Sequence, residues 1–163
     1  MPAEVSVEII PSDLVQIVEA VFATMLNLGV HESHLPWFPG GARLTAGVRL
    51  TGDWNGAVLV ECDWHQARTF AGRYLGIHPP AASDEVACDF LGELANMIGG
   101  NLKSVLARGT QLSAPFVVDG SNSNFCGQPC GSEIAQRTAF HCGEGDLWIT
   151  VLTPRPLVGG GPS

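Results

Sequence analysis

Between Asp84 and Arg108 the chain reads DEVACDFLGELANMIGGNLKSVLAR, a proline-free run whose apolar residues recur at helical spacing. At about 100° per residue, Leu91, Leu94, Ile98, Leu102 and Val105 share one side, with Ala87 beside them. With Asp89 as origin, Glu93 falls at about +40°, Asn96 at about −20°, Gly100 at about +20°, and Glu85 and Lys103 at about −40°. The pattern predicts a helix over 84–108. One face is built for a core, and the other is a narrow stripe with two carboxylates and a carboxamide at its centre.

The other elements follow from the same alternation of apolar and polar positions. Residues 1–10 read as an extended lead-in with a short strand over Val5–Ile9. Pro11-Ser12-Asp13 is a helix start, and Leu14, Ile17, Val18, Val21, Met25 and Leu28 carry a helix over 12–28 that Gly29 closes. Prolines and glycines mark 30–41 as a loop. Ala42, Leu44, Ala46, Val48 and Leu50 alternate with Arg43, Thr45, Gly47 and Arg49, a strand with one buried face. Thr51-Gly52-Asp53 turns the chain into a second strand, Trp54–Cys62. A helix then begins at Asp63-Trp64-His65, carries Ala67, Phe70, Ala71, Tyr74 and Leu75 as its apolar positions, and ends at Gly76. His78-Pro79-Pro80 leads into the long helix.

Beyond Gly109 the pattern is β again. A strand over Leu112–Val118 is interrupted by Pro115, which removes a ladder donor and marks an edge or bulge. Residues 119–132 form a polar, glycine-rich loop. Glu133–Cys142 and Asp146–Thr153 make a hairpin around Gly143-Glu144-Gly145, and 154–163 are a loose tail. The order is α-β-β-α-α-β-β-β. It predicts an α+β fold in which helices pack on one face of a largely antiparallel sheet. No linker divides the chain, so 1–163 reads as one domain with its core over about 10–153.

Composition narrows the function. Of 163 residues, 45% are hydrophobic and 15% charged, and the formal net charge of −8 argues against nucleic acid, whose phosphates need Lys and Arg. No apolar run reaches the roughly 18–20 residues of a membrane span, and the N-terminus lacks a basic signal region, a cytoplasmic pattern. Cys62 and Cys88 fall in apolar strand and helix patterns, where reduced thiols are the rule. Cys126, Cys130, His141 and Cys142 invite a zinc reading, but adjacent His141 and Cys142 point to opposite faces of a strand. His31 and His34 lack a suitably spaced third ligand, so no metal is assigned.

The polar stripe is unusual for a solvated helix face. It centres on Asn96, a mediocre helix former, and Gly92, Gly99 and Gly100 surround it at about 1 kcal/mol each relative to alanine. Such glycines mark a close approach to the backbone, by another element of this chain or by a partner. The string D-E-x(3)-D-x-x-G-E-x-x-N-x-x-x-G, Asp84 to Gly100, resembles the E-x-x-N signature of the CheC/CheX/FliY family, phosphatases of the chemotaxis response regulator CheY. The similarity spans about residues 10–153. Two-site members also carry an E-x-x-N on the first helix. Here Glu19 is followed three places on by Phe22, so the chain resembles the single-site CheX type.

The resemblance implies a CheC/CheX-like fold and a substrate, the aspartyl phosphate of a CheY-like receiver domain. It gives Asn96 the task of orienting the attacking water, for which a carboxamide can both accept and donate. Glu93 would dock on the receiver lysine, and Asp89, Gly92 and Gly100 would line the partner contact. The Mg2+ of this chemistry would sit on the receiver, leaving this chain with no cofactor of its own. A homodimer is implied, formed through sheet edges. The alternative is a non-catalytic receiver-binding or flagellar adaptor module on the same fold. An autonomous hydrolase finds no G-x-S-x-G elbow or Cys/His arrangement to support it.

Overall fold

The computed structural model describes residues 9, 11–34, 42–77, 82–106, 108–120, 132–143 and 145–154. In chain order these form α1 (Pro11–Leu26), β1 (Val30–Ser33), β2 (Arg43–Thr51), β3 (Gly56–Asp63), α2 (Trp64–Leu75) and α3 (Asp84–Lys103). The short β4 (Gln111–Leu112) and β5 (Phe116–Asp119) follow, and the hairpin β6 (Ser132–Cys142) and β7 (Gly145–Pro154) ends the fold. The strands make one seven-stranded sheet in the order β1-β6-β7-β3-β2-β4, with β5 also beside β2. Every pairing is antiparallel.

Alternation decides which residues meet. Leu44, Ala46, Val48 and Leu50 of β2, Val58, Val60 and Cys62 of β3, and Leu147, Ile149 and Val151 of β7, with Val30 of β1 and Phe140 and Cys142 of β6, form the sheet's share of the main core. The helices supply the rest. α1 contributes Leu14, Val18, Val21, Phe22 and Leu26, and α3 contributes Ala87, Leu91, Leu94, Ala95, Ile98 and Leu102, all fully buried. Each large side chain so removed from water is worth about 1.5–3 kcal/mol. A smaller apolar group, Ala57, Leu59 and Leu152 with Phe116, occupies the opposite face of the sheet. The α+β arrangement with helices on one face of an antiparallel sheet therefore holds.

Its details differ from the sequence pattern in several places. Residues 30–33, placed in a loop, form β1, an edge strand on β6 with Val30 opposite Cys142 and His31 opposite His141. The prolines and glycines that suggested a loop begin only at Pro36, beyond the strand. The strand expected over 112–118 is divided by Ser113–Pro115 into β4 and β5, both paired to β2. Proline cannot donate to the ladder, and the chain is instead pinned by Ser113 N–H to the Arg49 carbonyl at 2.9 Å. The observed order is thus α-β-β-β-α-α-β-β-β-β.

Helix ends also move. α1 stops at Leu26 because Asn27 takes a left-handed φ of 50°, a conformation asparagine tolerates. Arg73 of α2 donates to the carbonyls of Leu26 at 2.9 Å and Asn27 at 3.3 Å. α2 ends at Gly76 as expected, with φ 71° and its N–H on the Arg73 carbonyl. α3 ends at Lys103, five residues short of Arg108. The Ser104 hydroxyl donates to the Asn101 carbonyl at 2.6 Å, and Val105 and Leu106 donate to carbonyls three residues back, tightening the last turn. Val105 is consequently exposed rather than in the core. The expected strand over Val5–Ile9, the loop aromatics Trp37 and Phe38, Cys126, Cys130 and the 154–163 tail lie outside the described residues, apart from Ile9 and Pro154.

Candidate functional site

α3 is a rigid platform. Ser83 caps its start, its hydroxyl accepting from Val86 N–H at 3.3 Å, and Asp84 and Glu85 sit in the first turn where the helix dipole favours anions. Lys103 sits in the last turn, at the opposite pole. Buried residues hold its inner face against β2, while α2 flanks it through Tyr74 on Phe90, ring centroids 5.3 Å apart. Arg68 of α2 reaches Asp84 at 2.8 Å, a solvent-exposed pair of small energetic weight.

The stripe forms as the periodicity predicts. Asp89, Glu93 and Gly100 are exposed and Asn96 is half-buried, while their helix neighbours Leu91, Leu94, Ala95 and Ile98 are fully buried. Glu93 and Asn96 lie three residues apart, so their Cβ atoms are about 5–6 Å apart on one surface. Neither side chain is engaged by another described residue. An acceptor-only carboxylate thus stands beside a carboxamide able to accept and donate at once. Both project from a helix whose inner face is buried in the core.

The three glycines of this stretch separate into different roles. Gly99 is required by the fold, since a methyl group there would meet Val48 Cγ2 at 2.4 Å and Leu112 Cδ1 at 3.0 Å. Gly92 is buried, facing Val117 and Pro115, and a methyl group would meet them at 3.5 and 3.6 Å, ordinary contact. The structure therefore places Gly92 beneath the β4–β5 segment and off the exposed stripe. Gly100 faces outward, with Leu112 Cδ2 at 4.0 Å as the neighbour of any added methyl. Among the described residues, nothing demands a glycine at 100.

Other reactive groups are arranged differently. Partial burial raises the Cys88 thiol above its ordinary value, with the Asp84, Asp89 and Asp119 carboxylates adding to the effect. Burial pushes the Cys62 thiol far up, helped by Asp63, Glu61 and Cys142. Both stay protonated near neutrality, the wrong state for a thiolate nucleophile. His141 lies in a 2.5 Å contact with Asp146 on the exposed side of the hairpin, while Cys142 is buried and donates to the Gly145 carbonyl at 3.3 Å. Among the described residues, no group of three or more His, Cys, Asp or Glu side chains is placed to hold a metal ion.

Two surface cavities lie elsewhere. One of about 490 Å³ is bordered by Trp54, Ile134 and Gln136, and one of about 270 Å³ by Glu19, Asn27 and His31. Neither includes a stripe residue. Small-molecule sites are concave; the stripe is an open helix face, the shape for a macromolecular partner. Among the described residues, no helix is long and apolar enough to cross a membrane.

Comparison with known proteins bears on this face. A search of curated proteins finds no sequence match. Solved structures match closely in fold. The chemotaxis protein CheX from Vibrio vulnificus superposes with a TM-score of 0.68 at 22% identity, over 86% of this chain and 93% of that one. CheX in the CheX–CheY–BeF3–Mg complex from Borrelia burgdorferi gives 0.67 at 19% identity, over 88% and 96%. FliY from Thermotoga maritima gives 0.63 at 13% identity, over 91% and 92%. At these identities the likeness establishes the fold. The family model described as "Chemotaxis phosphatase CheX" matches residues 44–131, more than half of the chain and all of α3. The chain belongs to the CheX family of chemotaxis phosphatases, within the wider CheC/CheX/FliY group.

Proposed function

We propose that this protein hydrolyses the aspartyl phosphate of a CheY-like receiver domain in chemotaxis-type two-component signalling. The observation that carries the reading is the pair Glu93 and Asn96, side by side and engaged by no other described residue, on the outer face of a helix whose inner face is locked into the core. Family membership and the CheX–CheY complex among the similar structures support the same partner.

An acyl phosphate is already activated, so the enzyme need not supply a nucleophile. It must hold a water in line with the phosphorus and the leaving carboxylate. Asn96 does this by accepting a hydrogen bond from the water with its carbonyl and donating one with its amide. The water oxygen bonds to phosphorus as the bond to the aspartyl oxygen breaks, releasing inorganic phosphate and restoring the receiver carboxylate. Glu93 pairs with the receiver lysine beside the phosphoryl group and fixes the register of the helix on its partner. Asp89 extends the acidic contact, and Gly100 leaves room for receiver loops. The Mg2+ ion belongs to the receiver.

Such a protein works in the cytoplasm, where receivers are phosphorylated, and as a homodimer through the sheet edges at β1 or β4–β5. Loss of phosphoryl from a CheY-type receiver, timed with and without this protein, tests the reading. Acceleration that disappears in Asn96→Ala supports it. Tight receiver binding without acceleration would replace it with an adaptor role.

A further inference from the structure

The last turn of α2 departs from the burial pattern of the rest of the helix. Ala67, Phe70 and Ala71 are fully buried, yet Tyr74 is 49% exposed, Leu75 54%, and Ile77, just past the cap, 40%. Single exposed apolar residues are ordinary, but three within four positions make a patch. The Tyr74 ring rests on the outside of Phe90 of α3, which is itself buried.

That contact joins the patch to the functional stripe. Around α3, Glu93 stands at about +40°, and Val86, Met97 and Phe90 follow at about +60°, +80° and +100°. Val86 and Met97 are half-buried apolar side chains. Tyr74 therefore packs on α3 at Phe90, on the side where the half-buried Val86 and Met97 lie between Phe90 and the acidic pair Asp89 and Glu93, and the exposed Leu75 and Ile77 follow Tyr74 in the chain. Arg73, next to Tyr74, is turned away and held by α1 carbonyls.

We infer that the Tyr74–Leu75–Ile77 patch is the apolar half of the receiver-docking surface, with the acidic stripe as its other half. The inference rests on the phosphatase reading above. An ion pair at Glu93 orients the partner but gives little net affinity in water. Affinity at protein interfaces comes from a desolvated apolar centre beside such charges. The occupant is the receiver rather than a second copy of this chain, because the patch is anchored through Tyr74 to the same helix whose outer face addresses the phosphoryl group. The matching receiver surface is apolar and lies beside its active-site lysine.

The test uses Leu75→Asp, Ile77→Asp and the double variant, with Asn96→Ala in parallel. The probe is a CheY-type receiver carrying beryllofluoride and Mg2+ for binding, and the phosphorylated receiver for turnover. Both positions are exposed, and an unchanged thermal melt verifies the fold. The double variant should weaken binding and raise KM by about tenfold or more, with kcat within about twofold, as for loss of an interface anchor. Leu75→Met should behave as wild type. Unchanged Kd and KM in the double variant overturn the inference while leaving the phosphatase reading intact. So does a shift from dimer to monomer with KM unchanged, which would assign the patch to a second copy. A wild-type protein that neither binds the receiver nor speeds its dephosphorylation removes the phosphatase reading, and the docking surface with it.

Discussion

Gly99 of α3 lies so close to Val48 of β2 that a methyl group on it would stand 2.4 Å from Val48 Cγ2. This approach seats the helix on the sheet and turns Glu93 and Asn96 outward. Gly100, one residue on, faces solvent.

The neighbouring glycines should therefore respond oppositely to alanine. Gly99→Ala forces Val48 or the helix to shift and should lose about 1–3 kcal/mol, as overpacking does. Gly100→Ala should gain up to about 1 kcal/mol, because it removes backbone entropy from the unfolded chain in an open helix position. Urea denaturation of the two variants measures both. If Gly100 leaves room for a receiver loop, the stabilised variant should also dephosphorylate more slowly.

Asn96→Ala should abolish stimulated dephosphorylation and leave receiver binding nearly intact, since only the water-orienting amide is lost. Glu93→Ala should act mainly on association, because deleting one partner of an interfacial ion pair costs about 2–5 kcal/mol when the other charge stays buried. Parallel turnover and binding assays separate the two lesions. Wild-type turnover in Asn96→Ala would strip the residue of its assigned role.

Cys62 predicts an alkaline weakness. Burial raises its thiol pKa from 9.0, so the folded state keeps a proton that the unfolded chain releases. The stabilisation is complete below the unfolded value and is lost as pH climbs toward the folded one. Above about pH 9, unfolding free energy should fall by up to about 1.4 kcal/mol per pH unit from this group. Denaturant melts between pH 8 and 10 should show a shallower decline in Cys62→Ala than in the wild type.

Association is checked by light scattering. A homodimer through a sheet edge should give twice the 17.2 kDa chain mass at micromolar concentration. A mass equal to one chain rejects it.

The amino-acid sequence alone determined the helical face of α3 and most of the sheet. Those features rest on local periodicity: Leu91, Leu94, Ile98 and Leu102 recur at the helix repeat, and Leu44, Ala46, Val48 and Leu50 at the strand repeat. The turn at Gly76 and the hairpin at Gly143–Gly145 were legible for the same local reason. The long E-x-x-N string located the candidate residues.

Tertiary structure decided the features that depend on distant partners. Four residues such as Val30–Ser33 hold too little pattern to announce a strand, and β1 exists because β6 offers it a hydrogen-bonding edge. Pro115 signalled a disturbance, but only the pairing of both flanks to β2 made two strands of it. The glycines looked alike along the chain and differ because Val48, Pro115 and open solvent lie over them. Tyr74 and Leu75 carry the apolar character of core residues, yet burial depends on what packs above a residue, not on its own type. Here both stand about half exposed, with Tyr74 resting on Phe90 of the helix that carries Glu93.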